Sequence, residues 1–147
     1  MLRKVDGQAE DRYNYGKLNK EHKIIKKKVL LIDDDKDICE VTKALLHHTM
    51  KYQVLTAQTG TAGIQLAKKH KPDVILLDIR MPGMDGGMVA ESLGDDTLTS
   101  SIPIIFLTGL ILQDEVDDQG GCIAGHLFIA KPFDLKKLTD MIEMVTA

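Results

Sequence analysis

Four short stretches of the chain end an aliphatic run on a polar side chain. "LLIDDD" ends in Asp33, Asp34 and Asp35, "DVILLD" in Asp78, "PIIFLT" in Thr108, and "HLFIAK" in Lys131. Continuous aliphatic runs of this kind suit strands buried on both faces of a parallel sheet. In such a sheet every strand points the same way, so the strand C-termini collect on one edge, the edge where ligands bind. Carboxylates, a hydroxyl and an amine gathered there form a phosphate-handling set, since an aspartate accepts a phosphoryl group as a nucleophile and cations offset the charge on its oxygens. If the first and third strands are neighbours, their backbones lie about 4.8 Å apart. Asp33, Asp34 and Asp78 then converge, and like charges oppose one another's ionisation. A divalent cation relieves that conflict, and oxygen-only donors suit Mg²⁺.

The elements that must position these groups alternate along the chain. A strand at Val29–Ile32 precedes a helix through about Thr49, with Ile38, Val41 and Leu45 spaced as one apolar stripe. Next come a strand at Tyr52–Ala57, a helix at Thr61–His70 that stops before Pro72, a strand at Asp73–Asp78, and a helix around Gly87–Leu93. Strands at Ile102–Thr108 and His126–Ala130 flank a weak helical pattern at Leu110–Asp118, and Leu135, Leu138, Ile142 and Val145 mark a closing helix with Asp134 as its N-cap. Five strands alternating with five helices predict a doubly wound α/β fold with right-handed crossovers. Residues 28–147 form that domain. The stretch before it, residues 1–27, has no strong periodicity and reads as a basic extension, either a short helix or frayed.

With 147 residues, 44% of them hydrophobic and 28% charged, the chain suits one domain with one continuous core. The net charge of −3 conceals a division: residues 1–28 carry +5 and the remainder −8. An acidic body argues against a nucleic-acid-binding surface on the domain. The absence of a long apolar segment argues against a membrane span or secretory signal, so a cytoplasmic location is expected. Cys39 and Cys122 show no metal-like spacing and read as reduced packing residues. Asp35 reads as a helix N-cap, with Asp37 in the first turn and His47 and His48 in the last, all favourable to the helix dipole. Met81, Met84 and Met88 read as packing residues, and "PGMDGG" lacks phosphate-loop spacing.

Taken in order, "VLLIDDDKDI", "PDVILLDIRMPGMDG", "PIIFLTG" and "IAKPF" resemble the receiver domain of two-component response regulators. The resemblance implies a flavodoxin-like (βα)5 fold with strand order 2-1-3-4-5. It implies that Asp78 is the phosphoacceptor and that Asp33, Asp34, Asp78 and the Arg80 backbone carbonyl hold Mg²⁺. It further implies that Thr108 and Lys131 contact the phosphoryl oxygens, that Phe128 is a switch aromatic answering to Thr108, and that Lys131–Pro132 is a cis bond. The phosphoryl donor would be a sensor histidine kinase or a histidine phosphotransfer protein. The protein would act as a phosphoacceptor switch with at most slow self-dephosphorylation, not as an enzyme that turns over a substrate. The sequence departs from the family's usual pattern at Gly109, where alanine is common, and at Phe128, where tyrosine is commoner.

The last predicted helix ends near Val145, so the expected output is contact with a downstream protein target, by a monomer or a weak phosphorylation-dependent dimer, with no direct nucleic-acid or membrane binding. A different class of protein shares part of the pattern. Phosphatases resembling the haloacid dehalogenase family use an Asp-x-Asp pair, here Asp33 and Asp35, with Asp33 as nucleophile. They need a further acidic pair at a strand end after the lysine, and only a helix is predicted there. A receiver-like module that works without phosphorylation is the third reading.

Overall fold

The computed structural model describes residues 17–18, 24–109, 122–123 and 126–147. Two dipeptide strands, β1 (Lys17–Leu18) and β2 (Ile24–Ile25), pair antiparallel, where the sequence suggested a short helix or a frayed tail. The main sheet then begins at β3 (Lys27–Ile32) and alternates with helices. The order is α1 (Lys36–His48), β4 (Tyr52–Ala57), α2 (Gly60–His70), β5 (Val74–Asp78), α3 (Gly86–Gly94) and β6 (Ile104–Thr108). The dipeptide β7 (Cys122–Ile123), then β8 (His126–Ala130) and α4 (Leu135–Thr146) complete the described elements. The expected helix at Leu110–Asp118 lies outside the described residues.

The sheet order is β4-β3-β5-β6-β8-β7. Its five parallel members, numbered in chain order, run 2-1-3-4-5, the flavodoxin-like order, and β7 adds an antiparallel edge beside β8 that periodicity did not reveal. The order reverses between β3 and β5. Chain from β3 goes outward to β4, then returns to β5 on the other side, so the ends of β3 and β5 face each other across the switch point.

Alternation along the strands divides the core in two. Val29, Leu31, Val74, Leu76, Ile105 and Leu107 face α1 and α4, while Leu30, Ile32, Ile75, Leu77 and Phe106 face α2 and α3. Val29 to Ile32 and Val74 to Leu77 are all fully buried, which is why these strands read as unbroken aliphatic runs. Each such side chain stabilises the fold by about 1.5–3 kcal/mol, and Leu76→Ala would cost about 2–5 kcal/mol through the cavity it leaves.

The helix starts follow the chemistry of capping. Asp35 accepts from the backbone N–H groups of Asp37 and Ile38, Thr59 from Ala62, Asp85 from Met88, and Asp134 from Lys137. One expectation fails in α1. The stripe Ile38, Val41 and Leu45 does not face the core: Val41 is 59% and Leu45 45% exposed, and the buried residues are Cys39, Thr42 and Leu46. The helix is rotated by one residue, about 100°. Cys39 and Thr42, small and partly polar, pack tightly against the sheet in places the pattern assigned to larger aliphatics.

Candidate functional site

The site forms where β3, β5, β6 and β8 end. Asp33 directly follows β3 and is fully buried, Asp34 beside it is exposed, and Asp78 is the last residue of β5 and 6% exposed. One carboxylate oxygen from each of the three lies within 4.8 Å of the others. Among the described residues no second set of three or more His, Cys, Asp or Glu converges in this way.

Lys131 enters from the end of β8. Its ammonium donates to Asp33 Oδ2 at 2.7 Å and to Asp78 Oδ1 at 3.3 Å. The backbone carries it there: the Lys131 N–H donates to the Thr108 carbonyl at 2.8 Å, which fastens the end of β8 to that of β6, and Lys131–Pro132 is cis, as expected. Thr108 ends β6 and is 1% exposed, directly opposite Ala130 in the β6–β8 ladder. Asp33 is fixed further, since its Oδ1 accepts from the Asp35 N–H at 2.9 Å and its carbonyl from the Cys39 thiol at 3.3 Å.

The loop after β5 is held close beneath the site. Ile79 N–H donates to the Leu107 carbonyl and Gly86 N–H to the Ile79 carbonyl, at 3.2 and 2.8 Å. A Cβ at Gly86 would collide with the Asp78 carbonyl oxygen and come within 2.8 Å of Ile79 Cα, so this close approach requires glycine. Gly83, at φ +79°, makes the turn. Arg80 lies in this loop with its side chain in solvent, and Met81 is buried in the core while Met88 is 49% exposed, so of the packing methionines Met88 does not pack as expected. Phe128 on β8 stacks on Phe106 of β6, with ring centroids 5.2 Å apart.

The electrostatics follow from this crowding. Burial, followed by the charge of Asp33, pushes the Asp78 carboxyl up to about 6, against the opposing pull of Lys131. Burial works against the charge on Lys131, but its contacts with Asp33 and then Asp78 outweigh it and raise the ammonium above the usual lysine range. One ammonium among three converging carboxylates leaves negative charge uncompensated, and a cation would offset it. Three oxygen donors, one of them exposed at Asp34, suit a hard divalent cation that keeps several waters.

The response regulator receiver domain model matches residues 29–143. The chain belongs to that family. Receivers are switches that accept a phosphoryl group, and this chain is a response regulator of that kind, similar to Protein PilH of Pseudomonas aeruginosa. The two are 36% identical over 122 residues, which cover 82% of this chain and 98% of PilH. It is also 36% identical over 112 residues to the response regulator PleD of Caulobacter vibrioides, but spans only 23% of that longer protein. Among solved structures, the receiver domain of the sensor histidine kinase PA1611 from P. aeruginosa superposes with a TM-score of 0.70 at 26% identity, covering 83% of this chain and 98% of that one. That receiver holds a magnesium ion coordinated in its active-site cleft.

For this receiver the alternative nucleophile is poorly placed. Both oxygens of Asp33 are engaged and its side chain is fully buried, while Asp35 is occupied as the N-cap of α1. Among the described residues the element after Lys131 is a helix, not another strand. Two contacts went unread in the sequence: the short Lys131–Asp33 pair and the Phe106–Phe128 stack. The register Phe106↔Phe128 would have revealed the second, and it follows once β6 and β8 are aligned on their last residues, Thr108 and Ala130. No helix among the described residues is long and apolar enough to cross a membrane.

Proposed function

We propose that this receiver accepts a phosphoryl group on Asp78 from a sensor histidine kinase or a histidine phosphotransfer protein, and signals to a downstream protein through the resulting change of shape. The observation that carries this reading is the contrast between two carboxylates on one edge. Asp33 is fully buried and held at 2.7 Å by Lys131, whereas Asp78 keeps 9% side-chain exposure and a looser 3.3 Å contact. An oxygen of Asp78 attacks the phosphorus, a P–O bond forms as the P–N bond to the donor imidazole breaks, and an aspartyl phosphate results.

Asp33, Asp34, Asp78 and the Arg80 backbone carbonyl would hold Mg²⁺, which supplies charge compensation for the phosphoryl oxygens. Lys131 would follow the new charge, moving from two carboxylates to a carboxylate and a phosphoryl oxygen. Thr108 ends β6, and its hydroxyl would turn toward the phosphoryl group, a displacement that would be passed to Phe128. Residues 28–147 constitute the receiver and residues 1–27 a basic extension. Lys27, the last residue of that extension, already pairs in β3 and bonds Glu143 and Thr146 of α4.

The test is direct. The chain, incubated with acetyl phosphate and Mg²⁺, gains the mass of one phosphoryl group, and Asp78→Asn abolishes the gain. Labelling that persists in Asp78→Asn, or appears on Asp33, would sink the assignment.

A further inference from the structure

Phe106 and Phe128 stand directly opposite one another in the β6–β8 ladder. Their rings are stacked, with centroids 5.2 Å apart and planes inclined by 26°. The Phe106 ring is touched a second time, by His126 one step earlier on the same face of β8, at 5.6 Å and 86°. Two residues onward on that face, Thr108 lies opposite Ala130. The face therefore carries a row: His126 and Phe128 on one strand, Phe106 and Thr108 on the other, with a methyl group in place of a larger side chain beside the threonine.

Phe106 is the fixed member of this row. It is 7% exposed and packed in the core beneath α2 and α3, whereas Phe128 is only partly buried at the margin of that core. The Phe106 ring meets His126 in an edge contact and offers Phe128 a flat face to stack on. Any movement of Phe128 must first give up the stacking contact.

We propose that Phe106 is a positioning residue that sets the threshold of the switch, by holding Phe128 in the unmodified conformation through ring stacking. The inference rests on the reading of Thr108 and Phe128 as the switch pair. Leucine at 106 would fill much of the space without offering a flat face, so the resting position would lose stability relative to the displaced one. A ligand that favours the displaced state then binds more tightly, by the factor through which the equilibrium has shifted. For the stacking contribution of one aromatic pair that factor is about two- to tenfold.

The experiment titrates the full chain, in Mg²⁺, with beryllofluoride as a non-covalent phosphoryl mimic, and follows the ring signals of Phe128 by NMR. Phe106→Leu is expected to bind beryllofluoride about two- to tenfold more tightly than wild type, and in the free protein to move the Phe128 ring signals away from their stacked positions. Phe106→Tyr, which keeps the flat face, should restore wild-type affinity. In a Phe128→Leu background, Phe106→Leu should have no effect on affinity, an outcome that a general loss of packing would not produce. Equal or weaker binding by a folded Phe106→Leu, or the same gain in the Phe128→Leu background, would overturn the proposal. If Phe106→Leu does not fold, Phe106→Met takes its place under the same expectations. Failure of the wild type itself to bind beryllofluoride would overturn the receiver reading of the site, and the threshold role with it.

Discussion

The Lys131 ammonium lies 2.7 Å from Asp33 Oδ2, closer than its 3.3 Å approach to Asp78, although 98 residues separate the pair in the chain. The contact joins the ends of β3 and β8 across the intervening β5 and β6. It also decides which carboxylate is spoken for, because an ammonium that fully engages Asp33 leaves Asp78 only partly compensated.

Replacing Lys131 with methionine removes the cation and leaves the fully buried Asp33 carboxylate without its charged partner. Breaking such a pair from one side typically costs about 3–5 kcal/mol, reduced here toward about 2–3 because the lysine retains some exposure. Urea unfolding in chelator should show this loss, and added Mg²⁺ should recover much of it by supplying positive charge to the same cluster. A Lys131→Met protein as stable as wild type in chelator would show that the ion pair contributes nothing.

The raised Asp78 carboxyl makes metal-free stability depend on pH with a defined sign. Its value of about 6 in the folded chain lies above the ordinary 3.8, so the folded state holds the proton more tightly than the unfolded state. Stability from this group is therefore complete below about pH 4 and is lost as pH rises through about 6, by up to about 3 kcal/mol at 1.36 kcal/mol per unit. Asp78→Asn should remove that part of the slope and, at neutral pH in chelator, be more stable than wild type by about 2–3 kcal/mol. Denaturation midpoints for both proteins between pH 4 and 8 check this. A variant that matches the wild-type slope would mean that another group titrates.

The sequence exposed the site more clearly than the surfaces of the helices around it. Asp33, Asp78, Thr108 and Lys131 each follow an aliphatic run, and a parallel sheet gathers such positions whatever the details of packing. In α1 the pattern misled, because Val41 and Leu45 look like core residues and are exposed, while Cys39 and Thr42 take the buried places. Periodicity measures hydrophobicity, whereas the phase of a helix against a sheet depends on how closely its side chains let it approach. The dipeptide β7 was illegible for a different reason: two residues are too short for a period of two to be seen, and their pairing is set by the strand beside them.

Gly86 couples the loop after β5 to the backbone of the phosphoacceptor candidate. Because a Cβ there meets main-chain atoms of Asp78 and Ile79, no side-chain rotation relieves Gly86→Ala, and the loop must shift. The expected cost is about 1–3 kcal/mol, the range for overpacking. The backbone of Asp78 moves with the loop, so labelling by acetyl phosphate should slow several-fold even at temperatures where the variant is fully folded. Gly94→Ala, where nothing lies near the added Cβ, is the matched control and should leave labelling unchanged. Equal labelling rates in the two variants would show that the loop yields without disturbing Asp78.

At the opposite edge of the sheet, Tyr52 begins β4 fully buried and donates its hydroxyl to Glu143 Oε2 at 2.6 Å. Lys27, opposite Tyr52 in the β3–β4 ladder, donates to Glu143 Oε1 at 2.9 Å, so one carboxylate of α4 receives the starts of two strands. Burial opposes the charge on Glu143, but the Tyr52 hydroxyl and then Lys27 outweigh it and hold the carboxyl below the usual glutamate range. Tyr52→Phe should destabilise the fold by about 1–1.5 kcal/mol, the low end for a hydrogen bond to a charged group because the Glu143 side chain is 45% exposed and screened by water. The sign with pH is opposite to that of Asp78: a depressed carboxyl contributes stability above its unfolded value and loses it as pH falls through the folded one, so the difference between Tyr52→Phe and wild type should shrink in acid. Because Tyr52 lies at the far end of the strands from Asp33 and Asp78, labelling by acetyl phosphate should be unchanged at temperatures where both proteins are folded. A slowed labelling rate in folded Tyr52→Phe would show instead that the two edges of the sheet are coupled through α4.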